Sequence, residues 1–198
     1  MTASAEFGRR RSRSDDGAGK PAPSTLSYTE QCGLAHEAAL RLLSVRERSA
    51  SELRLRLRKK GFSSEPIESV LERLAEVGLQ DDRRFAAAFA SDAADLRGVS
   101  ARRIQLDLRA RGVDPELAAA AATVHPDEEE TRARDLARKR ARGMSSLAPE
   151  VRARRLIGLL ARRGYPADIC RRVANEVAGA RGEDDEAILD LDSERDVR

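Results

Sequence analysis

The chain has no tryptophan, and two tyrosines and four phenylalanines supply only 3% of its 198 residues. Ring anchors for a broad hydrophobic interface are therefore scarce, and so are platforms for stacking single-stranded bases. Two cysteines, Cys32 and Cys170, show neither a close pairing nor a metal-ligand spacing. Both fall at apolar positions of helical patterns, which predicts buried free thiols. His36 and His125 stand apart from any Cys, Ser or second His in a catalytic or metal-binding motif. The 13 glycines are scattered among turns and tails, so no loop is built to cradle a phosphate. No apolar run reaches the length of a membrane span, and the N-terminus lacks the apolar stretch of a secretory signal. The expectation is a cytoplasmic, membrane-free protein with no catalytic residues, no metal and no cofactor.

Ala, Leu, Arg and Glu dominate instead, and unbranched side chains lose little freedom on entering a helix. Charged residues make up 36% of the chain, with a formal net charge of +3 that is unevenly spread. Residues 1–27 carry five basic and three acidic groups, and residues 183–198 carry two basic and eight acidic groups. Residues 28–182 are therefore left with +7. A basic body between tails suits an anionic partner, either nucleic acid or an acidic protein groove. The N-terminal stretch is rich in Ser, Gly, Pro and Arg without apolar periodicity and reads as disordered. Its Arg9-Arg10-Arg11 run reads as a solvated tail rather than a nucleic-acid contact. The acidic stretch from Gly182 reads the same way, although Ile188 and Leu189 within it could form a short docking turn.

Between the tails the chain repeats itself. Gly61, Gly112 and Gly164 lie 51 and 52 residues apart, each preceded by a cation (Lys60, Arg111, Arg163) and followed by Phe62, Val113 or Tyr165. Four residues upstream stand Leu57, Leu108 and Leu160; eight upstream stand Leu53, Ile104 and Leu156. A proline follows within five residues: Pro66, Pro115 or Pro166. Glycine just past a helix end accepts a left-handed backbone, and the next apolar residue can pack back on the helix. Proline suits the first turn of the helix that follows, and Asp114-Pro115 forms a cap and first-turn pair. The motif is helix, tight turn, helix, made three times.

The alternation Leu53-Arg54-Leu55-Arg56-Leu57 would also fit a half-buried strand. Leu156, Ile157, Leu159 and Leu160 in the third copy have helical spacing, and Ser49-Ala50-Ser51-Glu52 has the form of a capping box. A helix is therefore predicted, with Leu55 on its flank. A third helix in each copy is marked by Ile67, Val70, Leu71, Leu74 and Val77, by the alanines at 118–122, and by Ile169, Val173 and Val177. A longer helix precedes each pair. Ala35, Ala39, Leu42 and Leu43 line the first, and Phe85, Phe89 and Leu96 line the second. Ala133, Leu136, Ala137, Ala141 and Met144 line the third. The predicted division is a disordered tail at 1–27, three-helix repeats at 28–79, 80–126 and 127–181, and an acidic tail at 182–198.

The block Gly78-Leu79-Gln80-Asp81-Asp82-Arg83-Arg84-Phe85-Ala86 runs on through Phe89 and Arg97-Gly98 to Ile104, Leu108, Arg111, Gly112 and Val113. In order and spacing it resembles the RecX family, and the resemblance extends over roughly residues 32–180. Asp107 stands where that family usually has Glu, a change that keeps the charge. The resemblance implies an all-α fold of three tandem three-helix repeats in an extended, curved array with disordered termini. It also implies a non-enzymatic monomer that binds the groove of the RecA–DNA filament, with DNA met directly or through the filament. Such proteins lower strand exchange, ATP hydrolysis and co-protease activity in recombination and repair. The competing reading, from tri-helical units with basic helices, is a tandem helix-turn-helix-like DNA binder that acts without RecA.

Candidate contacts follow from where the cations stand. Arg54, Arg56, Arg58 and Lys59, with Lys60, form the densest basic cluster, but Arg54 and Arg58 share one side of a helix while Arg56 and Lys60 share another. Lys60, Arg111 and Arg163 end helices, where the dipole favours cations. Arg102, Arg103, Arg154 and Arg155 open the middle helices of their repeats, where the dipole opposes them, so they are the stronger candidates for filament or phosphate contact. Asp81 and Asp82 could be a metal pair, but acids at a helix start explain them better. Phe85, Phe89 and Tyr165 are predicted core residues.

Overall fold

The computed structural model describes residues 23–179. Nine α-helices run in order: α1 (Tyr28–Leu43), α2 (Ala50–Lys59), α3 (Ser64–Glu76), α4 (Asp82–Asp95), α5 (Ala101–Ala110), α6 (Pro115–Ala122), α7 (Pro126–Ala141), α8 (Pro149–Arg162) and α9 (Ala167–Ala178). Short 3-10 turns lie at Pro23–Thr25 and Arg142–Met144, and no strand occurs among the described residues. Helices α1–α3, α4–α6 and α7–α9 each enclose their own apolar core. Leu53, Leu57, Ile67 and Leu74 are fully buried in the first, Ala93, Leu108 and Ala118 in the second, and Leu156, Leu160 and Val173 in the third.

The middle helices all end alike. Val113 N–H donates to Leu108 O at 3.1 Å and Gly112 N–H to Arg109 O at 2.9 Å. The pairs Phe62–Leu57 with Gly61–Arg58, and Tyr165–Leu160 with Gly164–Ala161, repeat this arrangement. It is the Schellman closure, in which the two residues of the longer bond also pack their side chains together. All six of those side chains are buried.

Helix starts use their predicted residues in altered ways. Asp114 accepts from Glu116 and Leu117 N–H groups, and Asp81 accepts from Arg83 and Arg84. Ser49 accepts from Glu52 N–H, but the reciprocal half of the expected capping box is missing. The Glu52 carboxylate instead pairs with Arg46 at 2.9 Å and with Arg111 of the next repeat at 3.7 Å. A complete capping box does form between Ser27 and Glu30. Residues 23–27, assigned to the tail by composition, thus hold a turn and the cap of α1; residues 1–22 and 180–198, including the Arg9-Arg10-Arg11 run, lie outside the described residues. Val77 and Leu96, expected on core stripes, are 60% and 81% exposed because each sits at a C-cap, where the chain leaves the helical stripe. Cys32 is only half-buried, whereas Cys170 is buried.

The repeats join head to tail through a device used twice. At the first junction, the buried Ser49 hydroxyl donates to Arg111 O at 2.6 Å, and Ala50 N–H donates to Asp82 Oδ1 at 2.8 Å. At the second, Ser100 N–H donates to Arg163 O at 3.1 Å, and Ala101 N–H donates to Glu129 Oε1 at 2.8 Å. In both, the N-terminal donors of one middle helix meet a last carbonyl of the next middle helix and a carboxylate from the start of the helix before it. The orphan donors and acceptors of two helix ends satisfy each other, and the dipoles align. Glycine makes the approach possible. A methyl group at Gly112 would overlap Ser51 Cβ and Oγ, and one at Gly164 would lie 2.6 Å from Arg103 Cβ.

Candidate binding surface

The eight predicted cations divide by what they touch. Arg54 Nε and Nη2 each lie 2.6 Å from a Glu68 oxygen, a two-pronged pair between α2 and α3. This hydrogen bonding raises the Arg54 pKa and lowers that of Glu68, so Arg54 is bound within its own repeat. Arg103 pairs with Asp107 at 3.0 Å, one turn along α5. Arg102, Arg154 and Arg155, together with Arg56, Arg58 and Lys59, are exposed and make no ion pair among the described residues. Arg56, Arg58 and Lys59 remain on the first repeat, while Arg102 belongs to the second and Arg154 and Arg155 to the third.

Around Arg154 and Arg155 the third repeat forms a shallow basin of about 400 Å³, completed by Arg140, Arg162, Met144 and Leu159. Arg140 and Leu159 also line a larger cleft of about 620 Å³ between the second and third repeats. The ends of α4 and α8 and one side of α7 bring Arg97, Arg132, Lys139, Arg140 and Arg163 to its walls. Sequence reasoning passed over most of these. Arg132, Leu136, Lys139 and Arg140 do share one helical side at spacings of four, three and one, a signal that was available. Arg97 and Arg163 join them only because the repeats pack.

Of the three helix-ending cations, Arg111 does more than complement a dipole. Its guanidinium lies 4.7 Å from the centre of the Phe89 ring, with Arg97 at 5.0 Å. Such contacts stabilise by about 0.5–1 kcal/mol where exposed, and here they tie the helix end to α4. Phe85 packs beside Phe89 at 6.1 Å.

The acidic groups have structural occupations. Asp81, which accepts Arg84 and Arg83 N–H groups, is held below the usual carboxylate range by those bonds. Asp82 accepts from Gln80 Nε2 at 2.7 Å as well as from Ala50 across the junction. Glu130 is lowered chiefly by Arg172 and bridges α7 to α9, alongside an Arg134–Glu176 pair at 3.0 Å. Burial pushes the Tyr165 phenol up to about 12 and the Cys170 thiol up to about 11, so both are neutral packing groups at pH 7. Among the described residues no helix is long and apolar enough to cross a membrane.

Fold and surface together define a tandem array of latched three-helix repeats that carries unpaired arginines on its outside. The chain belongs to the RecX family. The models of the first, second and third RecX three-helix domains match residues 35–74, 81–121 and 127–174 in turn. A regulatory protein RecX of Amycolatopsis mediterranei is 37% identical over 173 residues, covering 85% of this chain and 99% of that relative. One from Mycobacterium leprae is 39% identical over 164 residues, covering 81% and 94%. The crystal structure of RecX from Lactobacillus salivarius superposes with a TM-score of 0.64 at 21% identity, over 75% of this chain and 97% of that one, a likeness of fold. The relatives are named regulatory proteins, not enzymes.

Proposed function

We propose that the chain binds the RecA–DNA filament and restrains RecA, lowering its ATP hydrolysis, strand exchange and co-protease activity. Membership of the RecX family supports RecA as the partner. The observation that carries the reading is the placement of Arg102, Arg154 and Arg155: exposed, without ionic partners among the described residues, and held on two repeats whose separation the junction fixes. An unpaired guanidinium on a rigid body keeps its donors free for phosphate or carboxylate. Several weak contacts at fixed spacing gain affinity through effective concentration. The chain acts by binding rather than by catalysis: among the described residues its perturbed carboxylates serve helix starts and ion pairs.

The test measures RecA-driven ATP hydrolysis on single-stranded DNA with the wild-type chain and with Arg102→Gln/Arg154→Gln/Arg155→Gln. The wild type should slow hydrolysis. The triple variant should need about tenfold more protein for the same effect, as expected if three exposed charge contacts of about 0.5 kcal/mol each are lost. Lys60→Gln, at a helix end, should change little. Hydrolysis indifferent to the wild-type chain would refute the reading. Tight binding to bare DNA that RecA does not alter would replace it with the tandem DNA binder, whose phosphate contacts would use the same arginines.

A further inference from the structure

The cleft between the second and third repeats is charged to excess and has an apolar floor. Arg97, Arg132, Lys139, Arg140 and Arg163 face it against only two carboxylates, Asp95 and Asp135. None of the five cations makes an ion pair among the described residues. Between them lie Leu96, 81% exposed, with Leu136 and Leu159, each half-buried. An exposed leucine amid unpaired arginines asks for an occupant that is anionic and apolar at once. A phosphodiester backbone satisfies only the first requirement.

One segment of this chain satisfies both. Residues 183–192 read Glu-Asp-Asp-Glu-Ala-Ile-Leu-Asp-Leu-Asp: six carboxylates around Ile188, Leu189 and Leu191. The described chain ends at Gly179, just after α9 of the same repeat. That end lies beside Arg152 near the start of α8, since Arg152 Nη1 meets Ala178 O at 3.4 Å. Leu159 and Arg163 of the cleft are about two to three turns further along α8, roughly 10–16 Å at 1.5 Å per residue. An extended chain of about nine residues, from Gly179 to Ile188, spans roughly 30–32 Å, so Ile188 and Leu189 have the length to reach the cleft.

We propose that residues 183–192 dock in this cleft, with their carboxylates on its arginines and lysine and Ile188 and Leu189 over Leu96, Leu136 and Leu159. The tail is then an internal competitor. A bound partner's phosphates or acidic side chains must displace it to reach these cations, at a cost set by its effective concentration. Docking of the tail is independent of which partner the outer arginines serve.

Carbodiimide coupling of the full chain tests this directly, because it joins a lysine to a carboxylate it touches. The chain has four lysines, Lys20, Lys59, Lys60 and Lys139, and only Lys139 lines the cleft. Peptide mapping of the dilute, uncrosslinked-size fraction should find Lys139 joined to carboxylates of residues 183–192. Proximity along the chain could favour Lys139 by itself, so Arg132→Gln/Arg140→Gln provides the control. It leaves lysine and tail intact and should cut the yield about fivefold, the change that about 1 kcal/mol makes in an equilibrium. Ile188→Ser/Leu189→Ser should cut it as well while keeping every charge. The proposal is overturned if the tail couples to Lys59 and Lys60 as readily as to Lys139, or if the yield ignores both double variants. Excess oligothymidylate should release the tail; an unchanged yield at saturating oligonucleotide would overturn the competition.

Discussion

Replacing Gly164 by alanine tests whether the junctions, rather than the separate cores, make the array one body. Gly164 has a φ of +87°, where a residue with a side chain loses roughly 1–2 kcal/mol. The new methyl would stand 2.6 Å from Arg103 Cβ and 2.7 Å from Ser100 Oγ, well inside the ~3.5 Å of a relaxed carbon contact. Neither neighbour can swing aside: Cβ is fixed to the backbone, and Ser100 Oγ caps α5 by accepting from Arg103 N–H at 3.2 Å. Relief must come from drawing α5 away from the end of α8, which stretches the 3.1 Å bond from Ser100 N–H to Arg163 O. Overpacking of this kind costs about 1–3 kcal/mol, so the whole substitution should cost ~2–5 kcal/mol. Gly78→Ala is the reference. Its φ is +69° but nothing lies within 4 Å of the added carbon, so only the backbone cost of roughly 1–2 kcal/mol applies. Urea unfolding followed by circular dichroism gives both losses. Alkylation of Cys170, 2% exposed with its thiol pushed up to about 11, reports opening of the third repeat alone. Gly164→Ala should open Cys170 before the bulk of the helix melts, because repeat arrays are coupled only through neighbours. Equal losses in the two variants, with Cys170 opening in step with the rest, would refute the reasoning.

Ser49→Ala removes a buried hydroxyl that both caps α2 and donates to Arg111 O. The lost cap and the stranded carbonyl together should cost ~2–4 kcal/mol in urea denaturation, against ~1 kcal/mol for an ordinary cap loss. Glu130→Gln probes the link from α7 to α9. A carboxyl held below its unfolded value of about 4.3 adds stability that is complete above that value and is lost as pH falls through the lower, folded value. The wild-type urea midpoint should therefore drop on acidification, and the variant should show a lower midpoint at pH 7 with a shallower acid slope. Parallel curves would mean that the Arg172 and Arg134 contacts to Glu130 contribute nothing.

The fold was legible because its signal is local and repeated. A leucine, two residues, a cation, a glycine and an apolar residue specify a complete helix ending, and three copies at near-equal spacing removed the ambiguity at Leu53–Leu57 that a single copy left. Helix ends were less legible. Val77 and Leu96 continue the apolar spacing of α3 and α4, but a C-cap residue turns away from the stripe, and periodicity does not say where the turn falls. The junctions were not legible at all: Ser49 and Arg111 are 62 residues apart, and Glu52 forms a textually complete capping box whose carboxylate the tertiary structure uses elsewhere. Which of the candidate cations stay without an ion pair among the described residues was legible in part. The dipole argument picked out Arg102, Arg154 and Arg155, which the structure leaves unpaired, but it also picked Arg103, whose partner is one turn away at Asp107. It set aside Arg163, which ends a helix as expected and also faces the cleft.

The two outer ends of the described array differ from its internal joints. At each internal junction, the glycine turn of one repeat receives the helix start of the repeat before it. Among the described residues Gly61 has no such repeat before it, and Pro23 Cδ, 3.4 Å from where a methyl would stand, occupies the place that Ser51 and Arg103 take at Gly112 and Gly164. The turn at Pro23–Thr25 thus stands in for a missing helix start. At the other end, the position equivalent to Ser49 and Ser100, twelve residues before the glycine, is Arg152. There α8 begins further upstream, at Pro149, and the Arg152 guanidinium donates to the Leu147, Ser145 and Ala178 carbonyls. A helix start with no serine cap and an arginine folded across it offers no seat to a further glycine turn. Repeat arrays need ends that differ from their middles, or they join end to end. Here one end is covered by a proline turn and the other by an arginine, and the interior spacing of the exposed arginines is set by two hydrogen-bonded joints. A partner that engages more than one repeat therefore meets its contacts at separations fixed before binding, with little ordering left to be done.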